Sequence, residues 1–303
     1  MRILFIASNR LGDAVISTGI LDALQKRYPK ALFTIVCGPV AAGVFEAHPQ
    51  CERLIVMEKQ KYDRHWIDLW MQCISIAWVL TVDLRGSLLS AFLWSRQRII
   101  VRGGRRKGRK IEQLARALKY DTVPMPRVWI SQRQKEYAAR ILPEGKWLAL
   151  GPTANWDGKI WPANRFVGLA QALQEKGYRT VVIYGPGDRE RRIARAVLQD
   201  LPPDAIDLGG DHTIGEVAAL LQKCQLFVGN DSGLMHLAAA AGVPTLGLFG
   251  PSKMSEYAPA GERAYAIAAP GLEGEAPIDG LQIKNVVQVA CDILNNQAQS
   301  FKT

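Results

Sequence analysis

Apolar runs of five to seven residues alternate with longer stretches in which apolar positions recur every three to four residues. Arg2–Ser8 is apolar nearly throughout, as a strand buried on both faces of a parallel sheet must be. After the polar turn Asn9–Gly12, the residues Val15, Ile16, Ile20, Leu21 and Leu24 mark one face of a helix beginning at Asp13 or a neighbour, which Pro29 stops. The same reading predicts strands over 32–37, 53–57, 77–83 and 98–102, with helices over 41–47, 66–75, 87–94 and 111–118. The second half repeats the pattern, with strands over 147–150, 180–184, 205–208, 226–228 and 245–249. Its helices run over 163–176, 188–200, from a cap at Thr213 or a neighbour to Lys223, from Ser232 to near Gly242, and over 284–296. Regular β–α alternation implies two doubly wound, Rossmann-like α/β domains. The turn residues Leu142-Pro-Glu-Gly-Lys146 suggest a boundary giving domains 1–145 and 146–303, with room for the final helix to pack back toward the first. Two such domains face each other across a cleft between the carboxyl ends of their strands, where ligands bind.

Composition narrows the class. The chain has 303 residues, 48% hydrophobic and 22% charged, the balance of a soluble globular protein. Five scattered cysteines with no Cys-x-x-Cys pair indicate neither a disulfide framework nor a zinc site, and favour a reducing cytoplasm. The apolar N-terminal run is too short for a signal peptide, and the most apolar window, 69–82, is too short to span a bilayer. The net charge is +10, and its location matters more than its size. Arg85, Arg96, Arg98, Arg102, Arg105, Arg106, Lys107, Arg109 and Lys110 follow one another with no acid between Asp83 and Glu112, and account for nearly the whole excess. Such a patch suits an anionic partner, phosphorylated lipid at a membrane surface or nucleic acid; the plainer alternative is a solvated loop.

The chemistry concentrates in Gly229-Asn-Asp-Ser-Gly-Leu-Met-His236, where a strand breaks into a loop and a helix begins. Free N–H groups and the positive dipole end make such a junction an anion site. The structural alternative is a plain cap at Asp231 or Ser232, with His236 packed in the core. Asp13 occupies the matching junction in the first half, where it could be a catalytic carboxylate or an N-cap beside Gly12. Gly185-Pro-Gly-Asp-Arg-Glu190 follows a strand but lacks the Gly-x-Gly-x-x-Gly spacing, which argues against a nicotinamide oxidoreductase.

Asn9-Arg-Leu-Gly-Asp13, Asp83-Leu-Arg-Gly86, Lys159-Ile-Trp-Pro162, Gly229–His236 and Gly247-Leu-Phe-Gly-Pro-Ser252, in that order, resemble glycosyltransferase family 9, the bacterial heptosyltransferases of the lipopolysaccharide inner core. The resemblance runs from Met1 to about Asn295. It implies the GT-B architecture, with an ADP-heptose donor on the C-terminal domain and an anionic lipopolysaccharide-type acceptor on the N-terminal one. It also implies an inverting transfer with no metal or other cofactor; no Asp-x-Asp motif occurs. Asp13 then matches the general base, and Lys159 the cation that offsets charge on the departing diphosphate. Asp231, Ser232, Gly233, Leu234 and His236 match donor contacts, and Thr153 is a hydroxyl donor to phosphate or a turn threonine. Glu190, with Asp188 second, matches a ribose contact, although both also suit the first turn of a helix. Thr213 and Ile214 line the base pocket. Asn9, Arg10, Gly12, Arg85, Arg102, Arg105 and Arg106 form the acceptor side, Arg85 being well suited to an acidic sugar or phosphate. The patch would hold the protein peripherally on the cytoplasmic face of the inner membrane, with no nucleic acid as partner.

Two other readings remain open. One is a GT-B transferase for another nucleotide sugar in surface-polysaccharide synthesis. The other is a non-catalytic nucleic-acid- or anion-binding α/β protein, which the lack of interleaved aromatics and of any known nucleic-acid module disfavours.

Overall fold

The computed structural model describes residues 1–101 and 108–300, and falls into two compact units, Met1–Trp129 and Ile130–Thr303. In the first unit the elements are β1 (Arg2–Ile6), α1 (Leu11–Arg27), β2 (Leu32–Cys37), α2 (Ala42–Phe45), β3 (Cys51–Val56), α3 (Arg64–Cys73), β4 (Trp78–Asp83), β5 (Ser95–Ile100) and α4 (Lys110–Ala117). The strands form one parallel sheet in the order β3-β2-β1-β4-β5. Strand order reverses between β1 and β4, so the loops leaving these two strands flank the switch point, the usual ligand position in open α/β sheets. Leu4, Ile6, Val36, Leu69 and Trp78 form a core on one face of the sheet.

The second unit comprises α5 (Gln132–Ile141), β6 (Trp147–Gly151), α6 (Ala163–Gln174), β7 (Arg179–Val182), α7 (Asp188–Leu198), β8 (Ile206–Asp207), α8 (Ile214–Gln222), β9 (Leu226–Asn230), α9 (Gly233–Ala240), β10 (Thr245–Phe249), α10 (Met254–Tyr257), β11 (Ala264–Ala268) and α11 (Ile283–Ser300). Its parallel sheet has the order β11-β10-β9-β6-β7-β8, with the reversal between β6 and β9. Leu148, Leu150, Trp161, Phe166, Leu226 and Leu248 lie at the centre of its core. Helix α5 packs on α8 and therefore groups with this unit, although it precedes the Leu142–Lys146 turn. The final helix packs against α6 and β9 of the same unit.

The ends of β6 and β9 approach closely, because Gly151 and Gly229 are register partners. A Cβ on Gly229 would meet the Gly151 carbonyl oxygen at 2.8 Å and the Phe227 ring at 2.6 Å. Only glycine allows the two loops to leave the sheet side by side.

Most predicted elements form, with shifted ends. Three differences have identifiable causes. The expected helix over 87–94 is a 3₁₀ turn at Leu88–Phe92. There the Arg98 guanidinium takes the Ser90 carbonyl, which in an α-helix would accept from Trp94 N–H, and the Trp94 carbonyl is drawn to β4 by Trp78 N–H at 2.8 Å. The strand expected at 98–102 runs instead over Ser95–Ile100, because its pairing with β4 begins at Trp78↔Ser95. Strand β11 was not foreseen: it is a short edge strand that exists through its pairing with β10, and its first residues are only partly buried.

Candidate active site

The second unit gathers seven sequence-predicted residues around its switch point. Asp231 follows β9 directly and is 5% exposed. Lys159 lies in the loop after β6, and its Nζ donates to Asp231 Oδ2 at 2.6 Å. The ammonium also stands over the Tyr257 ring, 5.8 Å from the centroid. Thr153 is buried at the start of the same loop. Ser232 occupies the N-cap position of α9, in extended conformation, yet makes no side-chain cap bond. Its Oγ is buried without a hydrogen-bond partner among the described residues. Gly233 and Leu234 open the helix, whose first-turn amides have no intrahelical acceptor. His236 is buried one turn further in. A lysine ammonium, an orphaned hydroxyl and a helix N-terminus thus converge where a polyanion is best accommodated.

Asn230, quoted in the motif but given no role by the sequence reading, holds the arrangement together. Its side chain is fully buried, accepts from Trp161 N at 3.0 Å and donates to the Pro152 carbonyl at 2.8 Å. Both ends of the Lys159 loop are thereby tied to the end of β9. Trp161 adds an indole N–H bond to the Leu281 carbonyl. The available signal was the rule that a buried amide must find partners. Tyr257 gave no local signal.

The remaining sequence-predicted residues of this unit stand at the starts of α7 and α8. Glu190 and Asp188 stand in the first turn of α7. Glu190 pairs with Arg189 at 3.3 Å, while Asp188 is almost fully exposed and lies 3.8 Å from Arg191. Arg189 also donates to the Ala154 carbonyl and to Asp157, clamping the Lys159 loop from its far side. Burial, with the bond to Asp207, pushes the Tyr184 hydroxyl up to about 12 beside the Gly185 loop. Thr213 caps α8 in a reciprocal box with Glu216, so its hydroxyl is already engaged, and Ile214 follows it half-buried.

In the first unit, Arg10 takes the N-cap position of α1 and Asp13 stands in the first turn, so Asp13 is not the N-cap. Asn9 is exposed and packs against Gly38 at the top of β2; Gly12 is half-buried. Across the switch point, Asp83 ends β4 and is fully buried. Its carboxylate accepts from the amides of Arg85, Gly86 and Ser87 and from the Ser87 hydroxyl, at 2.6 to 3.0 Å. Gly86 meets this turn with φ +67°. Arg85 stacks on Trp66 at 4.6 Å from the ring centroid. Burial lowers its pKa, with Asp83 acting in the opposite sense, and its Nη1 is buried without a hydrogen-bond partner among the described residues. Arg102, Arg105 and Arg106 lie outside the described residues. Among the described residues no three His, Cys, Asp or Glu side chains come together as a metal cage, and no helix is long and apolar enough to cross a membrane.

Comparison with known proteins extends this picture. Lipopolysaccharide heptosyltransferase 2 of Escherichia coli K12 is 25% identical over 317 residues, spanning 88% of each chain. The structure of an Escherichia coli ADP-heptose lipopolysaccharide heptosyltransferase II superposes with a TM-score of 0.80 at 21% identity, over 98% of this chain and 100% of that one. A glycosyltransferase family 9 protein from Veillonella parvula superposes with a TM-score of 0.82 at 20% identity, over 97% of each chain. With two parallel-sheet α/β units, the fold is GT-B. The family described as glycosyltransferase family 9 (heptosyltransferase) matches residues 108–277, more than half of the chain, and includes the whole Lys159–Asp231 site. This protein therefore belongs to glycosyltransferase family 9 and is a glycosyltransferase enzyme.

Proposed function

We propose that the protein transfers a heptose from ADP-heptose to an anionic, lipopolysaccharide-core acceptor, with inversion at the anomeric carbon. The observation that carries this reading is the Lys159–Asp231 pair at the N-terminus of α9, joined by the unpartnered Ser232 hydroxyl. A diphosphate fits that combination: α9 offers backbone N–H groups, Lys159 a full positive charge, and Ser232 a hydroxyl. The second unit, from the strand ends between Thr153 and His236, is the donor side in this reading. Glu190 meets the ribose, Asp188 stands beside it, and Thr213 and Ile214 border the base. Asp231 orients Lys159 and accepts from a donor-sugar hydroxyl. The names of the relatives point to heptose and to lipopolysaccharide.

Asp13 is assigned as the general base. It accepts the proton of the acceptor hydroxyl as that oxygen attacks the anomeric carbon, and the bond from that carbon to the diphosphate oxygen breaks. ADP leaves with the bonding electrons, and Lys159 and the α9 amides offset the charge it carries away. The Lys159 ammonium and these backbone dipoles supply the stabilisation that a divalent ion provides in other transferases, so in this reading the reaction needs no metal. Asn9, Arg10, Gly12 and Arg85 border the acceptor in the first unit. The acceptor is membrane-borne, which places the enzyme peripherally on the cytoplasmic face of the inner membrane.

Thermal-shift measurements with ADP-, UDP-, GDP- and TDP-linked sugars test the donor. Stabilisation by ADP-heptose alone is expected, following mass action. A shift with another nucleotide sugar, or with none, overturns the donor assignment. Asp13→Asn is expected to retain that shift while turnover falls by a factor on the order of 10² to 10⁴. Near-normal turnover removes Asp13 from the chemistry.

A further inference from the structure

The first unit carries an apolar surface that the transfer reaction does not use. Helix α3 exposes Ile67, Trp70 and Met71, and the turn after β4 exposes Leu88, Phe92 and Trp94. Leu88 is 81% exposed, Phe92 67% and Trp94 76%. Monomeric proteins rarely leave so many large apolar side chains contiguous in water. The two segments join through a bond from the Trp70 indole N–H to the Phe92 carbonyl, at 3.3 Å. Between them lies a hollow of about 540 Å³ walled by Trp66, Ile67, Trp70, Leu88, Leu89 and Phe92. A second hollow, of about 610 Å³, begins on the other side of Phe92 and ends at Arg96 and Arg98.

Charge decides what covers this face. Arg64 is exposed at the start of α3, Arg85 lies on Trp66 at one wall of the first hollow, and Arg96 is exposed on the edge strand β5. No acid occurs from Leu84 to Ile111, and the acids of α3 and its approach are Asp63 and Asp68 alone. Four of the eight tryptophans of the chain line these hollows, and three of them, Trp66, Trp70 and Trp94, reach the surface while Trp78 stays buried. Indole rings favour the depth of lipid headgroups, where one edge is apolar and the other wet. Aromatic and aliphatic side chains rimmed by arginine match the interfacial layer of an anionic bilayer; a soluble protein partner would not need the excess of arginine around them.

We propose that the face formed by α3, the Leu88–Phe92 turn and Trp94 inserts into the headgroup layer of an anionic phospholipid membrane, with Arg64 and Arg96 on the lipid phosphates. This deepens the membrane-borne acceptor reading above and rests on it. It assigns anchoring to an apolar face as well as to the basic run, so binding has a part that salt does not remove.

The test is flotation of the full chain with phosphatidylglycerol–phosphatidylethanolamine vesicles and with phosphatidylcholine vesicles, at low and high salt. Wild-type protein is expected to float with the anionic vesicles, to retain part of that binding at high salt, and to shift its tryptophan emission to the blue. The variant Leu88→Ser/Phe92→Ser/Trp94→Ser changes exposed side chains only and is expected to lose partitioning by on the order of a hundredfold. Arg64→Gln/Arg96→Gln is expected to lose the preference for anionic lipid and to keep the salt-resistant part. Equal flotation of wild type and the serine variant overturns the proposal. So does failure of the wild type to float, or a serine variant that only turns a dimer into a monomer in sedimentation. Vesicle binding needs no donor, and the ADP-heptose thermal shift needs no vesicle. Loss of that shift with intact flotation therefore sinks the donor reading and leaves the membrane face standing.

Discussion

Two buried aspartates stand at corresponding places in the two units, one ending β4 and one just past β9, and their carboxylates are satisfied in opposite ways. Asp83 is held by three amides and one hydroxyl, none further along the chain than Ser87. Asp231 is held by Lys159, 72 positions away. The first arrangement is closed: each oxygen already has two donors, and a ligand entering there must break a turn. The second is open. Lys159 keeps two further N–H donors, Asp231 a second oxygen, and the pair is shared between two loops. Buried acids at strand ends can thus be scaffold or site, and the origin of the partner separates the two.

Among substitutions that test this contrast between the two aspartates, Lys159→Met should have the largest effect. Turnover is expected to fall by a factor on the order of 10² to 10³, the size seen when one preorganised charge-stabilising donor is removed. The variant also strands the Asp231 carboxylate, so folding stability falls with it. Lys159→Met/Asp231→Asn is expected to recover that stability without recovering turnover; urea unfolding beside a transfer assay reads both. Recovery of turnover in the double variant would make the pair scaffold only, as Asp83 is. Asp83→Ala should come next, with about 3 kcal/mol lost from the first unit as several amides lose their acceptor. Hydrogen exchange should show the amides of residues 85–87 losing protection, while the ADP-heptose thermal shift is unchanged. A weakened shift would give Asp83 a share in the donor site. Ser232→Ala should be the smallest. A working N-cap serine costs about 1 kcal/mol when replaced. Ser232 makes no cap bond, so stability is expected to hold or rise slightly while ADP affinity drops a few-fold, measured by calorimetry. A stability loss of the cap size would return Ser232 to the plain cap reading.

The second unit was legible where short-range chemistry speaks. The strand–loop–helix pattern read around Gly229–His236 is the one the structure has, and the cap read at Thr213 or a neighbour falls at Thr213, where the box with Glu216 is complete within four residues. What stayed hidden depended on distance along the chain. Asn230 joins residues 152 and 161 to the end of β9, and Tyr257 reaches Lys159 from beyond β10. The Ser87–Trp94 segment shows the reverse error. It was expected as a helix, but Arg98 claims the Ser90 carbonyl and β4 pairs with the Trp94 carbonyl, which leaves Leu88, Phe92 and Trp94 exposed.

By itself, the sequence determined the class and order of the elements. Hydrophobic periodicity, caps and glycine stops act over a few residues and survive any tertiary context. The five spaced motifs likewise carried the family resemblance. The tertiary structure alone decided which polar groups meet. Reversal of strand order between β6 and β9 brings the loop carrying Lys159 against the loop carrying Asp231, and the Gly151–Gly229 contact lets them lie side by side. It also decided which apolar side chains stay uncovered, because burial is a property of packing between segments and not of the residues that compose them.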